Sequence, residues 1–172
     1  KIEHPHIIEF LGWFETERCT HVYFEYMSGE DMCSEIINNG VYSSEDLSQT
    51  AKQIHAALEY LHNLHIVHRD IKPENVMLSG GREQRKAPVV KIIDFGLARV
   101  SLTNDCCKTA CGTRDYVAPE VIRAARGLSC GYGKPVDMWS FGVLLYVALM
   151  GEYPFSESHL EEDILTANFE VE

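Results

Sequence analysis

Three short polar clusters interrupt the apolar pattern of this chain, and their side chains could do chemistry together. The first is His68-Arg69-Asp70-Ile71-Lys72-Pro73-Glu74-Asn75, the second Asp94-Phe95-Gly96, the third Ala118-Pro119-Glu120. In the first, Asp70 offers a carboxylate that can take a proton. Lys72, two residues on, offers a counter-charge for an anion, and Asn75, five residues on, an oxygen donor. Asp94 adds a second carboxylate. Oxygen donors of this kind suit hard cations such as Mg2+. A lone Asp-Phe-Gly occurs by chance, but the Asp70-to-Asn75 step followed in order by the other two clusters leaves chance almost no room.

The elements around the clusters are legible from periodicity. Phe10 to Phe14 and His21 to Tyr26 are rich in aromatic and β-branched residues, with Glu17-Arg18-Cys19 between them as a turn. Leu47, Ala51, Ile54, Leu58 and Leu61 recur at steps of four and three, which predicts a helix beginning near Ser43 or Ser44. Asp46 stands three residues after Ser43, as in a capping box. Val76 to Leu78 and Val89 to Ile93 read as short extended pieces. A second helix is expected from Pro135 to Met150, with Pro135 in its first turn and Gly151 as its stop. It is apolar on nearly all sides, so a buried central helix is expected. Leu160 to Phe169 reads as a last amphipathic stretch. Strands first and helices after predict an α+β fold.

With 172 residues, 45% of them hydrophobic, the chain is long enough for one domain with a real core. Its formal net charge of -11 argues against a nucleic-acid partner, which would call for a basic patch. The six cysteines form no C-x-x-C pair and read as free thiols of a reducing compartment. Cys106-Cys107 are exposed loop thiols on this reading, with redox sensitivity the alternative. His62, His65 and His68 repeat every third residue, but a structural role is favoured over a metal site. The longest apolar stretch, Val143 to Met150, is too short to span a bilayer, so no transmembrane segment is expected. Lys1-Ile2-Glu3-His4-Pro5 is no signal peptide, and the expected location is cytoplasmic or nuclear. Gly80 to Lys86 is the one linker-like stretch.

In order and spacing, the three clusters resemble the catalytic domain of eukaryotic Ser/Thr protein kinases, and the resemblance covers essentially all 172 residues. It implies a kinase-like α+β fold: residues 1–27 end the N-terminal lobe and form the hinge, and 28–172 form the mainly helical C-terminal lobe. It further implies ATP and Mg2+ as cofactors and a protein Ser or Thr as acceptor. Asp70 would take or orient the acceptor hydroxyl, Lys72 would neutralise the transferring phosphate, and Asn75 and Asp94 would hold Mg2+. Thr113 would hydrogen-bond Asp70 and Lys72. For ATP binding, backbone groups of Glu25 and Met27 would meet adenine, with Phe24 behind and Met77 beneath, and Asp31 or Glu30 near the ribose or a basic substrate side chain. Arg69 marks a chain whose activation segment can be phosphorylated, with Thr109 the candidate and an ordinary loop threonine the alternative. His68, Phe95, Gly96, Glu120 and Asp137 take structural places, Asp137 by accepting from catalytic-loop amides.

Lys72-Pro73-Glu74 resembles the Ser/Thr class. Gly133 to Val143 and Cys111 to Ile122 resemble the calcium/calmodulin-dependent group, with Arg114 where the class usually has proline. Gly29 to Ile36 and Ala87 to Lys91 are closest to the kinase-like domain of calmodulin-kinase-like scaffolds. Those scaffolds have lost parts of the metal site, whereas Asn75 and Asp94 stand here. Glu74, Glu30 and Asp31 could read a basic residue in the substrate. No G-x-G-x-x-G, V-A-I-K lysine or basic amphipathic helix for calmodulin is visible, so calmodulin dependence stays open. A fragment with little catalysis of its own is expected, from a kinase, with a pseudokinase scaffold or an inert truncation product as alternatives.

Overall fold

The computed structural model describes residues 2–79, 88–102, 107, 109 and 111–169. Gly80 to Lys86, Thr103 and Cys106 lie outside them. An antiparallel pair, β1 (Phe10–Glu15) and β2 (Thr20–Phe24), precedes a mainly helical body. Thr16 closes the turn, its N–H donating to the Cys19 carbonyl at 2.9 Å. Two strands alone leave both faces open, and Leu11, Trp13, Phe14 and Val22 are all exposed.

Next come α1 (Met32–Asn39) and α2 (Ser44–Asn63). The expected N-cap forms, with Ser43 and Asp46 also joined side chain to side chain. Ser43 Oγ accepts from the Asp46 N–H at 3.2 Å and donates to Asp46 Oδ2 at 2.7 Å. Ser43→Ala strands that amide and should lower stability by about 1 kcal/mol, read as a shift in the urea midpoint with an unchanged slope.

A tight turn leads to β3 (Ile66–Val67), which pairs with β6 (Arg99–Val100). Between them, β4 (Val76–Ser79) and β5 (Val89–Ile92) form a hairpin in the register Val76 with Ile92 through Ser79 with Val89. The chain continues through α3 (Pro119–Ala125), α4 (Pro135–Met150) and α5 (Leu160–Thr166). Pro135 and Gly151 bound α4 as expected, Gly151 in the left-handed region at φ 77°. The last stretch is shorter as a helix than expected, because Ala167 turns left-handed at φ 52° and ends α5.

One core joins α2, the β4–β5 hairpin and α4 through Ile54, Leu58, Leu61, Val76, Ile92 and Leu144. A smaller cluster of Val67, Cys107, Val121, Tyr132 and Val136 lies against α3 and the start of α4. α4 is less enclosed than its composition suggested. Phe141, Val143, Leu144 and Ala148 are buried, but Met138, Leu149 and Met150 are exposed. Its uniform apolarity does not mark the side that faces the core. No helix among the described residues is long and apolar enough to cross a membrane.

Candidate active site

The loop from His68 to Asn75 runs between β3 and β4 and is fixed from below by α4. Asp137, in the first turn of α4, is fully buried. Its Oδ2 accepts from the His68 N–H at 2.9 Å and its Oδ1 from the Arg69 N–H at 2.8 Å. A buried carboxylate needs such donors, and the two amides are the partners expected of it. The third is His62, at the end of α2, whose Nε2 lies 2.8 Å from Asp137 Oδ2. The loop, α2 and α4 thus meet on one side chain.

Asp70 is held from the other side. Thr113 donates to Asp70 Oδ1 through both its N–H (3.0 Å) and its Oγ1 (2.8 Å). Lys72 Nζ lies 3.2 Å from Asp70 Oδ2 and donates to Thr113 Oγ1 at 2.8 Å. Asn75 Nδ2 donates to the Asp70 carbonyl at 2.8 Å and to its Oδ2 at 3.0 Å. Partial burial pushes the Asp70 carboxyl up, but the bonds from Thr113 and Lys72 outweigh it and hold the group below the usual carboxylate range. Asp70 is therefore ionised and aimed, with a cation at its side.

Asp94 is tied to this loop through its neighbour. The Ile93 N–H donates to the Asn75 carbonyl at 2.9 Å, and His68 Nε2 donates to the Ile93 carbonyl at 3.0 Å. Asp94 itself stands left-handed at φ 56°, its Oδ1 accepting from the Gly96 N–H at 3.0 Å. Phe95 packs edge-on against His68, ring centroids 5.0 Å apart. Because Asn75 Nδ2 is fastened to Asp70, its amide oxygen is what remains to offer a cation. Among the described residues no three His, Cys, Asp or Glu gather to hold a metal.

His68 is buried with Nε2–H on the Ile93 carbonyl, so its Nδ1 is the acceptor for the Asp70 N–H at 3.3 Å. Burial drives its pKa down against the opposing pull of Asp137, Ile93, Asp70 and Asp94. The folded chain then takes this proton less readily than the unfolded chain, whose histidine titrates near pH 6.5. The stability from neutral His68 is complete above about pH 6.5 and is lost as pH falls below it. Thermal melts between pH 7.5 and 5.5 (about one unit either side of that value) should show the melting temperature falling with pH, with a flatter slope in His68→Asn.

The predicted adenine side is assembled from β2, its outgoing chain and the β4–β5 hairpin. The Glu25 N–H donates to the Glu9 carbonyl at 2.9 Å, leaving the Glu25 carbonyl as its group to face a base. The Glu25 carboxylate accepts from the Glu9 N–H at 2.8 Å and pairs with Lys91. Met27 and Met77 are half-buried, Phe24 is more open, and Asp31 bridges to Met77. The Asp31 carboxylate is also the N-cap of α1, taking the Ser34 N–H at 2.9 Å and its hydroxyl at 2.6 Å. A ribose or basic side chain reaching Asp31 must share it with Ser34. Glu30 holds Asn38 Nδ2 at 3.0 Å.

The segment after Asp94 crosses back over Arg69. The Arg69 backbone is left-handed at φ 69°, its Nε donates to the Leu97 carbonyl at 2.6 Å, and its Nη1 reaches the Tyr132 hydroxyl at 3.5 Å. That hydroxyl donates to the Thr109 carbonyl at 2.6 Å. Thr109 is exposed. Gly112 stands at φ 108°, and a Cβ there would meet the Arg69 carbonyl oxygen at 2.8 Å, so the close passage of the two segments requires glycine. Glu120 is half-buried in the first turn of α3.

The protein kinase domain family matches residues 1–171. The chain belongs to that family. Myosin light chain kinase A of Dictyostelium discoideum is 40% identical to this kinase domain over 173 residues, covering 99% of the chain and 56% of the relative. Human calcium/calmodulin-dependent protein kinase type IV is 40% identical over 155 residues, covering 90% and 31%. A CaM kinase-like vesicle-associated protein of Xenopus laevis is 38% identical over 162 residues, covering 94% and 41%. The chain thus spans between about a third and just over half of these relatives' lengths. The resemblance to the calcium/calmodulin-dependent group and the kinase-like α+β fold are borne out.

Two residues of this kinase domain carry more of the site than the sequence showed. His62 reads as the polar end of a helix, yet it is the third donor to Asp137. Tyr132 drew no reading from the sequence, yet its hydroxyl joins Arg69 to Thr109, and burial together with Cys111 pushes its pKa up to about 12. No spacing signal points to either, since both partners lie far away in the chain.

Proposed function

We propose that the protein carrying this domain transfers the γ-phosphate of ATP to serine or threonine hydroxyls of other proteins. The observation that carries this reading is the Asp70 carboxylate, aimed by Thr113 and flanked by Lys72. The acceptor hydroxyl gives its proton to Asp70 as its oxygen bonds to phosphorus and the bond from phosphorus to the leaving nucleotide oxygen breaks. Lys72 counters the charge on the group in transit. Asn75 and Asp94 would hold Mg2+, which when bound neutralises the phosphate oxygens. The Glu25 carbonyl and Met27 backbone would orient adenine between Phe24 and Met77.

The acceptor peptide would carry basic residues before the hydroxyl. Glu74 is exposed, Asp31 stands just before α1, and burial, then Glu74, then Asp31 raise the Cys33 thiol pKa. Phosphorylation at Thr109 would place a dianion one hydrogen-bonded side chain from Arg69, which would draw the guanidinium onto the phosphate and order the segment.

The test is transfer from Mg-ATP to a basic serine peptide by the full-length protein, read by mass spectrometry. A phosphopeptide is expected. An unmodified peptide in the presence of measurable ATP binding would overturn the enzyme reading in favour of a scaffold that retains its nucleotide pocket.

A further inference from the structure

The tip of the β1–β2 hairpin holds a nucleophile, a base and a side chain that orients the base. Cys19 is an exposed free thiol, and its Sγ lies 3.1 Å from Nε2 of His21 on β2. The His21 ring stacks on Phe14, its cross-strand partner on β1, with centroids 4.5 Å apart and planes 13° from parallel. The turn is tied across its mouth. Thr16 donates to the Cys19 carbonyl through its N–H at 2.9 Å and its hydroxyl at 3.0 Å, and the Cys19 N–H donates to Thr16 Oγ1 at 3.2 Å. Thr16 Oγ1 also lies 3.4 Å from the sulfur, but the His21 nitrogen is nearer and is the stronger base.

A thiol and an imidazole within hydrogen-bond reach, with the imidazole held by a third side chain, form the arrangement of an activated nucleophile. The other described cysteines lack it. Cys107 is buried. Cys33 is half-buried and faces the carboxylates of Glu74 and Asp31. Cys111 is half-buried, its sulfur 3.4 Å from the Tyr132 hydroxyl. Cys130 is exposed, and among the described residues no hydrogen bond engages its sulfur. We infer that Cys19 is a modification site for low-molecular-weight disulfides, with His21 as its base. Nε2 takes the thiol proton as Sγ attacks one sulfur of the small disulfide. The new S–S bond forms as the old one breaks, and the departing thiolate collects the proton from the imidazolium. The products are a mixed disulfide on Cys19 and one free small thiol, so the small disulfide is the only oxidant consumed. At about 3.3 Å per extended residue, Cys19 stands roughly 20 Å along the chain from Glu25, so a group attached there leaves the adenine side open. The site stands whether or not the domain transfers phosphate.

The test incubates the full-length protein with glutathione disulfide and follows each cysteine by peptide-resolved mass spectrometry. Cys19 should form its mixed disulfide about tenfold faster than Cys130, the exposed thiol without a base in the same molecule. The factor is below the roughly 100- to 10,000-fold of an enclosed general base, because an open hairpin tip also lets solvent take the proton. His21→Phe keeps a ring against Phe14 and removes the nitrogen. It should bring Cys19 down to the Cys130 rate and leave Cys130 unchanged. His21→Gln keeps a polar atom beside the sulfur without the basicity and should do the same. Circular dichroism checks the fold of each variant, and either one decides if the other does not fold. Equal rates at Cys19 and Cys130 in the wild type, or a fast Cys19 that survives either substitution, would overturn the inference.

Discussion

Asp137→Ala should destabilise the chain by about 4 kcal/mol, within the range for removing one partner of a buried charged cluster. The substitution strands the His68 and Arg69 amides and the His62 ring at once, all of them directed at one fully buried carboxylate. The carboxylate is fully buried, so the two orphaned amides bear their own desolvation cost. Asp137→Asn keeps the volume but offers one acceptor oxygen to three donors, and should lose roughly half as much. Urea unfolding followed by circular dichroism measures both. A loss under about 1 kcal/mol for the alanine variant would mean that the loop relaxes around the hole and that Asp137 is not its support.

The second large effect is chemical. Asp70→Asn in the full-length protein should lower kcat about 1,000-fold while leaving the KM for ATP nearly unchanged, because a proton acceptor contributes about 100- to 10,000-fold. The asparagine oxygen can still take the Thr113 bonds, while its NH2 replaces the Oδ2 that faces Lys72 and Asn75, so the loss reports on the carboxylate together with those two contacts. Single-turnover kinetics separates this step from product release. A fall of less than about tenfold would assign Asp70 a positioning role only, and the proton would leave by another path.

What could be read from the sequence was whatever is encoded over short distances. Ser43 with Asp46, and Pro135 with Gly151, announce α2 and α4 because capping and termination are local. The Asp70, Lys72 and Asn75 spacing pointed to the proposed chemistry because one loop carries all three. Two helices went unread. α1 is capped by Asp31, which draws attention as a possible ligand of ribose but also serves as the N-cap. α3 begins at Pro119, a good first-turn residue hidden inside a motif read for its glutamate. Long-range pairings were out of reach. The contact between His62 and Asp137 spans 75 residues, and Arg69 binds a backbone carbonyl at Leu97, a group every residue has. Nothing in periodicity marks which carbonyl a guanidinium will find. The Asp137 partnership with the loop amides came from resemblance, and the geometry then supplied its physical reason.

That partnership also sets a schedule for biosynthesis. The carboxylate that fixes the catalytic loop lies 69 residues downstream of the first amide it holds. At ribosomal rates of about 5–20 residues per second, roughly 3–14 s separate the synthesis of the loop from that of its anchor. Throughout that interval the nascent loop can carry its full complement of catalytic side chains without their native arrangement. A chain released before α4 would therefore contain every residue of the loop and still lack the carboxylate that holds its His68 and Arg69 amides.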